Sequence, residues 1–346
     1  MTEVYKTDPL KPDRVIIRKA AEIIKEGGLV AFPTETVYGL GADALNAEAI
    51  KKIFKAKRRP LNNPLIVHVA DNEHIRKLAR KVPREAEELI ERFFPGPLTI
   101  VLRKKPIVPD EITANLPTVG IRMPDHKIAL SLIEESGTSI AAPSANTAGR
   151  PSPTKAQHVL EDLYGKVDLV IDGGETKFGL ESTILDLTVK PPQILRPGAV
   201  TLEMLREVLG TVRIHPAVQG KIRGKELTAK SPGMRYRHYA PKADLIIIIG
   251  KDEDVQRKIE EMMQNFNVKR LRIGVATTTG REYQANHVEF LGKSKKKIAK
   301  SLFDVLRRFD EADVDVILAE GVDERGLGLA IMNRLKKASG YKVIKT

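Results

Sequence analysis

The sequence predicts an α/β protein built from two domains. Short apolar segments of strand length alternate with segments whose apolar residues recur at helical spacing. The chain has 346 residues, which is more than one domain of ordinary size contains. A basic stretch with few apolar residues follows residue 211 and separates two different patterns of alternation. We therefore expect a domain over residues 1–212, an exposed basic linker over 213–242 and a second domain over 243–346.

The first domain opens with a helix that is capped by Asp13 and ends at the glycine pair 27–28. An apolar strand at 29–32 leads into a polar connection, Thr34 to Gly41. The next helix is capped by Asn46 and ends in a basic turn before Pro60. Further strands are expected near 65–69, 98–103, 119–123, 138–142, 167–171 and 182–188, with helices near 72–81, 83–93, 125–136, 154–164 and 201–209. Because helices separate only some of these strands, the pattern predicts a mixed, twisted sheet.

The second domain follows a simpler rule. Short, fully apolar strands alternate with helices, a pattern that predicts a small parallel, doubly wound sheet. The strands are expected at 244–249, 271–276, 287–291, 314–319 and 341–345, and the helices at 252–266, 294–311 and 325–338.

Composition excludes several classes of protein. With 42% hydrophobic and 30% charged residues, the chain is not a wholly disordered one. No apolar stretch is long enough to span a bilayer, and the first residues lack a signal-peptide core, so we expect a cytoplasmic location. The absence of cysteine excludes disulfides, thiolate zinc sites and cysteine nucleophiles. The net charge of +13 favours anionic partners, although a solvated basic surface explains it equally well.

The common nucleotide and hydrolase motifs are missing. The chain contains neither G-x-x-x-x-G-K-[ST] nor G-x-G-x-x-G, and it lacks G-x-S-x-G and H-E-x-x-H. Its seven histidines are scattered, so we expect no metal site built by the protein itself. If the chain handles ATP, basic side chains and backbone amides must hold the phosphates, with Mg²⁺ carried by the nucleotide.

Two polar groups follow early elements of the first domain. Thr34 to Tyr38 comes directly after a strand, where hydroxyls commonly face a ligand crevice, although an ordinary turn has the same composition. Lys57 and Arg59 lie two residues apart at the end of a helix, so both can turn toward one anion. The alternative is a solvated helix end whose charges offset the helix dipole.

Further polar residues accompany the later strands. Ser144 and Asn146 follow the strand at 138–142, either as ligand contacts or as a turn that satisfies its own backbone. Arg122 lies between apolar residues and therefore needs an anionic partner, either an internal carboxylate or a substrate. His68 is either a core histidine or a catalytic one. Ser182 and Arg196 form a fourth polar group.

Eight short motifs in a fixed order resemble one family. They are TETVYGL (34–40), KRRP (57–60), NPL (63–65), FFPGPLT (93–99), GIRMP (120–124), APSAN (142–146), ESTI (181–184) and RPG (196–198). Together they resemble the threonylcarbamoyl-adenylate synthases, whose shared module is called YrdC-like. The K-x-R … S-x-N signature of that family matches Lys57, Arg59, Ser144 and Asn146. The resemblance covers about residues 13–210, and the remainder looks like the longer branch with a Rossmann-like C-terminal domain.

The resemblance implies a nucleotidyltransferase reaction. L-Threonine, bicarbonate and ATP give threonylcarbamoyl-adenylate and pyrophosphate. The product supplies N6-threonylcarbamoyladenosine at position 37 of tRNAs that read codons beginning with A, through a partner tRNA threonylcarbamoyl transferase complex. No covalent protein nucleophile is required, so catalysis rests on positioning and charge neutralisation. Contact of this chain with tRNA itself is an open expectation.

The resemblance also implies roles for individual residues. Lys57 and Arg59 are expected to be catalytic. ATP or the adenylate is expected to contact Lys57, Arg59, Asn63, Thr118, Ser144, Asn146, Ser152, Arg196 and Tyr236. L-Threonine is expected to contact Thr34, Thr36, His68, Arg122, Ala142 and Ser182. Within that set, Arg122 is expected to pair with the substrate carboxylate, and Thr34 and Ser182 to contact its hydroxyl group.

The role of the basic linker and the meaning of the positive net charge each have an alternative interpretation. The basic segment Ser231 to Pro241 suits a lid that excludes water from a hydrolysable intermediate, and a plain tether is the alternative. A non-catalytic RNA-binding factor in translation or RNA maturation also fits the charge, but with 5% aromatic residues the chain offers few stacking platforms. The carbamoyl-transfer proteins of hydrogenase maturation carry cysteine zinc fingers, which a chain without cysteine cannot form.

Overall fold

The computed structural model describes residues 1–220, 222, 230–232, 234 and 238–346. Contacts divide the chain into two compact units. The first comprises residues 1–148 and 152–236, and the second comprises 149–151 and 237–346. None of the helices in the described ranges has both the length and the hydropathy needed to cross a membrane.

The first unit contains eleven strands among its described residues, joined in one mixed sheet of order β1-β8-β2-β3-β7-β4-β6-β5-β9-β10-β11. The strands are β1 (Glu3–Lys6), β2 (Val30–Phe32), β3 (Gly39–Asp43), β4 (Ile66–His68), β5 (Leu98–Arg103), β6 (Thr118–Arg122), β7 (Ile140–Ala141), β8 (Leu169–Asp172), β9 (Thr183–Asp186), β10 (Gln193–Arg196) and β11 (Arg213–Ile214). Parallel and antiparallel pairs alternate irregularly, which confirms the predicted mixed sheet.

Eight helices among the described residues cover this sheet. They are α1 (Arg14–Lys25), α2 (Ala47–Lys57), α3 (Asn72–Leu78), α4 (Arg84–Phe93), α5 (Asp110–Thr113), α6 (Lys127–Ser136), α7 (Ala156–Leu163) and α8 (Leu202–Leu209). The expected caps are present, since Asp13 accepts from the amide of Val15 and Asn46 from that of Ala49. Among the buried clusters of this unit, two lie against its helices. One includes Ile53 of α2 and Leu185 of β9, and the other lies between α1 and α6.

The second unit is a five-stranded parallel sheet of order β14-β13-β15-β12-β16. Its strands are β12 (Asp244–Ile249), β13 (Ile273–Thr277), β14 (His287–Phe290), β15 (Val316–Glu320) and β16 (Val343–Lys345). Its helices are α9 (Asp252–Val268), α10 (Lys295–Glu311) and α11 (Leu327–Ala338). The predicted parallel, doubly wound sheet is confirmed.

The structure corrects four local expectations in the first unit. The segment Thr34 to Gly41 is not wholly a connection, because β3 begins at Gly39 and pairs with β2. Strands β1, β10 and β11 were not predicted from the sequence. All three are short and carry polar residues, and backbone pairing with a neighbouring strand defines them.

The basic linker is less exposed than its composition suggests. Of its described residues, Ala217 and Met234 are buried in a cluster with Ile66, Val101, Ile184 and Leu195 of the first sheet. The expectation of a fully exposed linker is therefore wrong for these positions, because two apolar side chains suffice to pack against the sheet.

Candidate active site

The end of α2 joins two distant motifs. Arg58 adopts a left-handed conformation with φ 52° and ends the helix, so Lys57 is its last residue. The Nζ atom of Lys57 donates to the backbone carbonyls of Ser144 and Asn146. Burial, followed by the positive charge of Arg59, holds the pKa of Lys57 well below its ordinary value. The structure thus brings together the lysine and the Ser-x-Asn turn that the sequence singled out separately.

Arg59 organises the next loop. Its Nε donates to the carbonyl of Asn63 at 3.2 Å, and its Nη2 donates to that of Pro64 at 2.9 Å. Asn63 is buried, and its side-chain oxygen has no hydrogen-bond partner among the described residues. An unpartnered buried amide oxygen is costly, so this position is suited to a ligand that supplies a donor.

Arg122 has an internal carboxylate partner. Its Nη2 lies 2.6 Å from Oε2 of Glu35, and the two side chains are 4% and 1% exposed. The Nε of Arg122 also donates to the carbonyl of Gly96 at 3.3 Å. Of the two partners considered for this arginine, the structure contains the internal carboxylate, and Glu35 comes from the TETVYGL motif.

His68 lies beside this ion pair. Strand β4 pairs with β6 so that His68 is opposite Arg122. Burial, followed by the charge of Arg122, lowers the pKa of His68 to about 3. The imidazole is therefore neutral at physiological pH, and its buried Nδ1 has no hydrogen-bond partner in the described part of the chain.

The threonines of the first motif bond to each other. Thr34 Oγ1 lies 2.9 Å from Thr36 Oγ1 and donates to the carbonyl of Val37 at 2.7 Å. The same loop pairs with a later one, since the amides of Phe178 and Gly179 donate to the carbonyls of Glu35 and Thr36. The hydroxyl groups are thereby held in a buried, fixed arrangement.

Ser182 and Arg196 are in contact, as their grouping suggested. Arg196 Nη2 donates to Ser182 Oγ at 3.1 Å, and Ser182 Oγ lies 2.8 Å from Thr99 Oγ1. Next to them, Ser152 Oγ donates to Glu181 Oε1 at 2.6 Å. Gly198 permits the close approach of these loops, because a Cβ there would lie 2.4 Å from the amide nitrogen of Thr183.

Thr118, expected to contact the nucleotide, and Arg122, expected to contact threonine, lie at opposite ends of β6, whereas Ala142, also expected to contact threonine, lies at the Asn63 end of β4. Thr118 begins β6 and Arg122 ends it, a distance of about 13 Å along the strand. Asn63 precedes β4, at the end where Ala142 of the neighbouring segment donates its amide to Ile66. His68 ends β4, next to Arg122. A ligand that contacts Thr118 as well as Arg122 and His68 must therefore lie along these strands.

The sequence analysis did not identify several polar residues of the site, and one expected site residue lies outside the residues that the structure describes. Glu35, Glu181 and His126 are polar groups at or near the site, and His126 has a buried Nδ1 without a partner among the described residues. Glu35 had a detectable signal, since it lies between two threonines that the sequence had singled out. Tyr236 lies outside the described residues.

Family models match two consecutive parts of the chain. Residues 22–198 match the Sua5, YciO and YrdC model described as "Telomere recombination". Residues 200–340 match the model of the threonylcarbamoyl-AMP synthase C-terminal domain.

Full-length relatives agree with both models. The threonylcarbamoyl-AMP synthase of Pyrococcus abyssi is 56% identical over 95% of this chain and 95% of the relative. That of Bacillus subtilis is 47% identical over 98% of this chain and 97% of the relative. The crystal structure of P. abyssi Sua5 complexed with L-threonine matches with a TM-score of 0.96, 54% identity and complete coverage of both chains. The chain therefore belongs to the threonylcarbamoyl-AMP synthase family, in its two-domain form.

Proposed function

We propose that this protein makes threonylcarbamoyl-AMP and pyrophosphate from L-threonine, bicarbonate and ATP. The observation that carries the proposal is the structural likeness to a relative solved with L-threonine, with a TM-score of 0.96. The buried cluster of Arg122, Glu35 and His68 supports it. The product would serve N6-threonylcarbamoyladenosine formation at position 37 of tRNA.

The threonine end of the site carries matched groups for an amino acid. A guanidinium has five N–H donors, and Glu35 and Gly96 occupy only part of the capacity of Arg122. The remaining donors suit the substrate carboxylate. The hydroxyl groups of Thr34, Thr36 and Ser182 suit the substrate hydroxyl, and neutral His68 adds a polar contact without charge. Ala142, the remaining member of the expected set, is buried and small.

The nucleotide end carries cations, amides and hydroxyl groups. We assign Lys57, Arg59, Asn63, Thr118, Ser144, Asn146, Ser152 and Arg196 to ATP and the adenylate, with Tyr236 as a further candidate. Mg²⁺ bound with ATP would neutralise phosphate charge, and the oxygens of Ser144 and Asn146 are hard donors of the type that it prefers. The described residues contain no His, Asp and Glu cluster that could hold a metal ion without the nucleotide.

The chemistry requires two bond-forming steps. The neutral threonine amine attacks the carbon of CO₂ with loss of a proton, or that of bicarbonate with loss of water, and a carbamate forms. A carbamate oxygen then attacks the α-phosphorus of ATP, and pyrophosphate leaves. Because an adenylyl group is transferred, the protein would be a nucleotidyltransferase. The guanidinium of Arg59 reduces the repulsion between two anionic reactants, and Lys57 supplies N–H donors beside it.

We place the reaction in the cytoplasm, where tRNA is modified, and expect the adenylate to pass to a tRNA threonylcarbamoyl transferase complex. The basic segment around Tyr236 would then act as the lid. Deletion of residues 231–241 would lower pyrophosphate release if closure excludes water, and unchanged release would contradict the lid.

Pyrophosphate release from ATP tests the proposal. We expect release only when L-threonine and bicarbonate are both present, in magnesium buffer. Lys57→Ala should lower the rate by about a hundredfold or more, as expected for loss of one transition-state charge contact. Lys55→Ala is the matched control, because Lys55 lies in the same helical turn but is exposed.

Three outcomes would contradict the proposal. Threonine-independent ATP cleavage would indicate an ATPase or another acceptor. Equal rates for Lys57→Ala and Lys55→Ala would remove Lys57 from the site. RNA binding with a steep salt dependence and no turnover would favour a non-catalytic RNA-binding factor.

A further inference from the structure

The second unit contains a crevice at the carboxyl ends of its strands. Its volume is about 850 Å³, within the range of small-molecule sites. The loops that follow β12, β13, β14 and β15 line it through Gly250, Thr278, Lys293, Gly321 and Asp323, and helix α10 lines it through its first residue, Lys295. The proposed reaction uses none of these residues.

Topology explains why the crevice opens there. The chain leaves β12 across β15 to reach β13, and it leaves β15 across β12 to reach β16. Because crossovers between parallel strands are right-handed, these opposite directions place α9 and α11 on opposite faces of the sheet. The loops after β12 and β15 therefore diverge, and such a switch point is where doubly wound sheets bind ligands.

The walls of the crevice are held in place. Glu320, buried at the end of β15, accepts from the amides of Thr278 and Thr279 at 2.6 and 3.0 Å and from the hydroxyl of Tyr283 at 2.8 Å. Gly321 lets the segment after β15 pass close to strand β12, because a Cβ there would lie 2.3 Å from Ile249 Cγ2. A fixed wall lowers the entropic cost of binding a ligand.

On the α10 side the crevice keeps positive charge that no carboxylate balances, although its lining as a whole carries Lys293, Lys295 and Lys345 against Asp252, Asp323 and Glu324. Lys295 lies 2.7 Å from Asp323, and Lys336 lies 2.5 Å from Glu324, so both carboxylates are neutralised. Lys293, Lys296 and Lys297 are exposed and have no carboxylate partner among the described residues.

Helix α10 adds to the positive charge on this side of the crevice. Its first turn is Lys295, Lys296 and Lys297, with no acidic residue. Cations at the positive end of a helix dipole destabilise the helix, and a bound anion would relieve that repulsion. On the opposite side of the crevice, Asp252 of α9 is available to accept from a ligand hydroxyl.

We propose that this crevice binds the phosphate of a small phosphorylated ligand of nucleotide size, with Lys293 at the phosphate. Ile249, Val322 and Ile298 provide apolar surface for the remainder of the ligand. The inference does not depend on the proposed function of the first unit.

Methyl NMR of the full chain, labelled at isoleucine, tests the inference. Ile249 and Ile298 line the crevice and report on it directly. We expect AMP to shift both signals in a saturable way. Lys293→Glu should weaken this binding at least about tenfold. Lys269→Glu is the matched control, because Lys269 is an exposed lysine at the other end of α9 and should leave the affinity unchanged.

Two further measurements show which part of AMP is recognised and whether the signals report on this crevice alone. Inorganic phosphate that shifts the same signals as AMP would show that the phosphate alone is recognised, whereas tighter binding of AMP would show recognition of the nucleoside as well. Arg59→Ala should leave both Ile signals responsive, which separates this crevice from the nucleotide end of the first unit. No shift with either probe up to about 10 mM, or equal shifts in Lys293→Glu, would overturn the inference.

Discussion

The ion pair between Glu35 and Arg122 is the most constrained feature at the residue scale. Both side chains are almost fully buried, and their charged atoms lie 2.6 Å apart. A buried charge that loses its partner is far less stable than an intact pair. Glu35 therefore fixes the position of Arg122 in addition to balancing its charge.

Glu35→Gln tests this role. We expect the free energy of unfolding to fall by about 3–5 kcal/mol, because Arg122 would remain buried without a carboxylate. Chemical denaturation measures the change, with the exposed Glu22→Gln as the control that should change little. If Glu35→Gln were as stable as Glu22→Gln, the pair would not hold Arg122 in place.

His68 predicts a pH dependence of stability. Its pKa is about 3 in the folded chain and 6.5 when unperturbed, so below pH 6.5 the unfolded chain binds a proton that the folded chain does not. Stability should therefore fall as the pH decreases from 6.5 toward 3. Between pH 6.5 and 5 the loss from this group is about 2 kcal/mol.

The comparison variant is His68→Gln, which cannot titrate. Unfolding free energies of both proteins, measured at several pH values, should converge as the pH falls from neutral to 5. A constant difference between the two proteins over this range would show that His68 is not held neutral by the fold.

Helix α2 shows how an element carries the site. Asn46 caps its first turn by accepting from the amide of Ala49 at 3.1 Å, and Arg58 ends it in a left-handed conformation. These two ends set the length of the helix, and the length decides that Lys57 reaches the carbonyls of Ser144 and Asn146.

Removal of the cap gives a prediction at this scale. Asn46→Ala should lower stability by about 1 kcal/mol, because one amide of the first turn loses its acceptor. Thermal unfolding measures the change. Asn265→Ala is the control, and it should leave stability unchanged or raise it. Asn265 is exposed inside α9, and alanine favours a helix interior. Equal shifts in the two variants would argue against a capping role for Asn46.

Each unit of the whole molecule has a hydrophobic core of its own. Leu185 belongs to the cluster of the first unit, and Leu318 belongs to that of the second. Both side chains are fully buried. A cavity in one core therefore acts first on the sheet that surrounds it.

Hydrogen exchange on paired variants tests this separation. Leu318→Ala should cost about 2–5 kcal/mol and lower amide protection in β12, β13 and β15. Leu185→Ala should lower protection in β5, β6 and β9. Equal loss of protection in both sheets for either variant would contradict independent cores.

Local patterns were sufficient for much of this protein. The helix caps at Asp13 and Asn46, the apolar strands of the second unit and the motif residues Lys57 and Arg59 were all recognisable along the chain. Each depends on interactions between residues close in sequence, or on the periodicity with which apolar residues must be buried.

Contacts between distant residues required the tertiary structure. Lys57 and Ser144 are 87 positions apart, and the partner of Arg122 could have been any carboxylate in the chain or a substrate. The short strands β1, β10 and β11 exist because a neighbouring strand completes their hydrogen bonds. Burial then decided the protonation of His68, since a pKa depends on the solvent and charges around a group, and sequence neighbours specify neither.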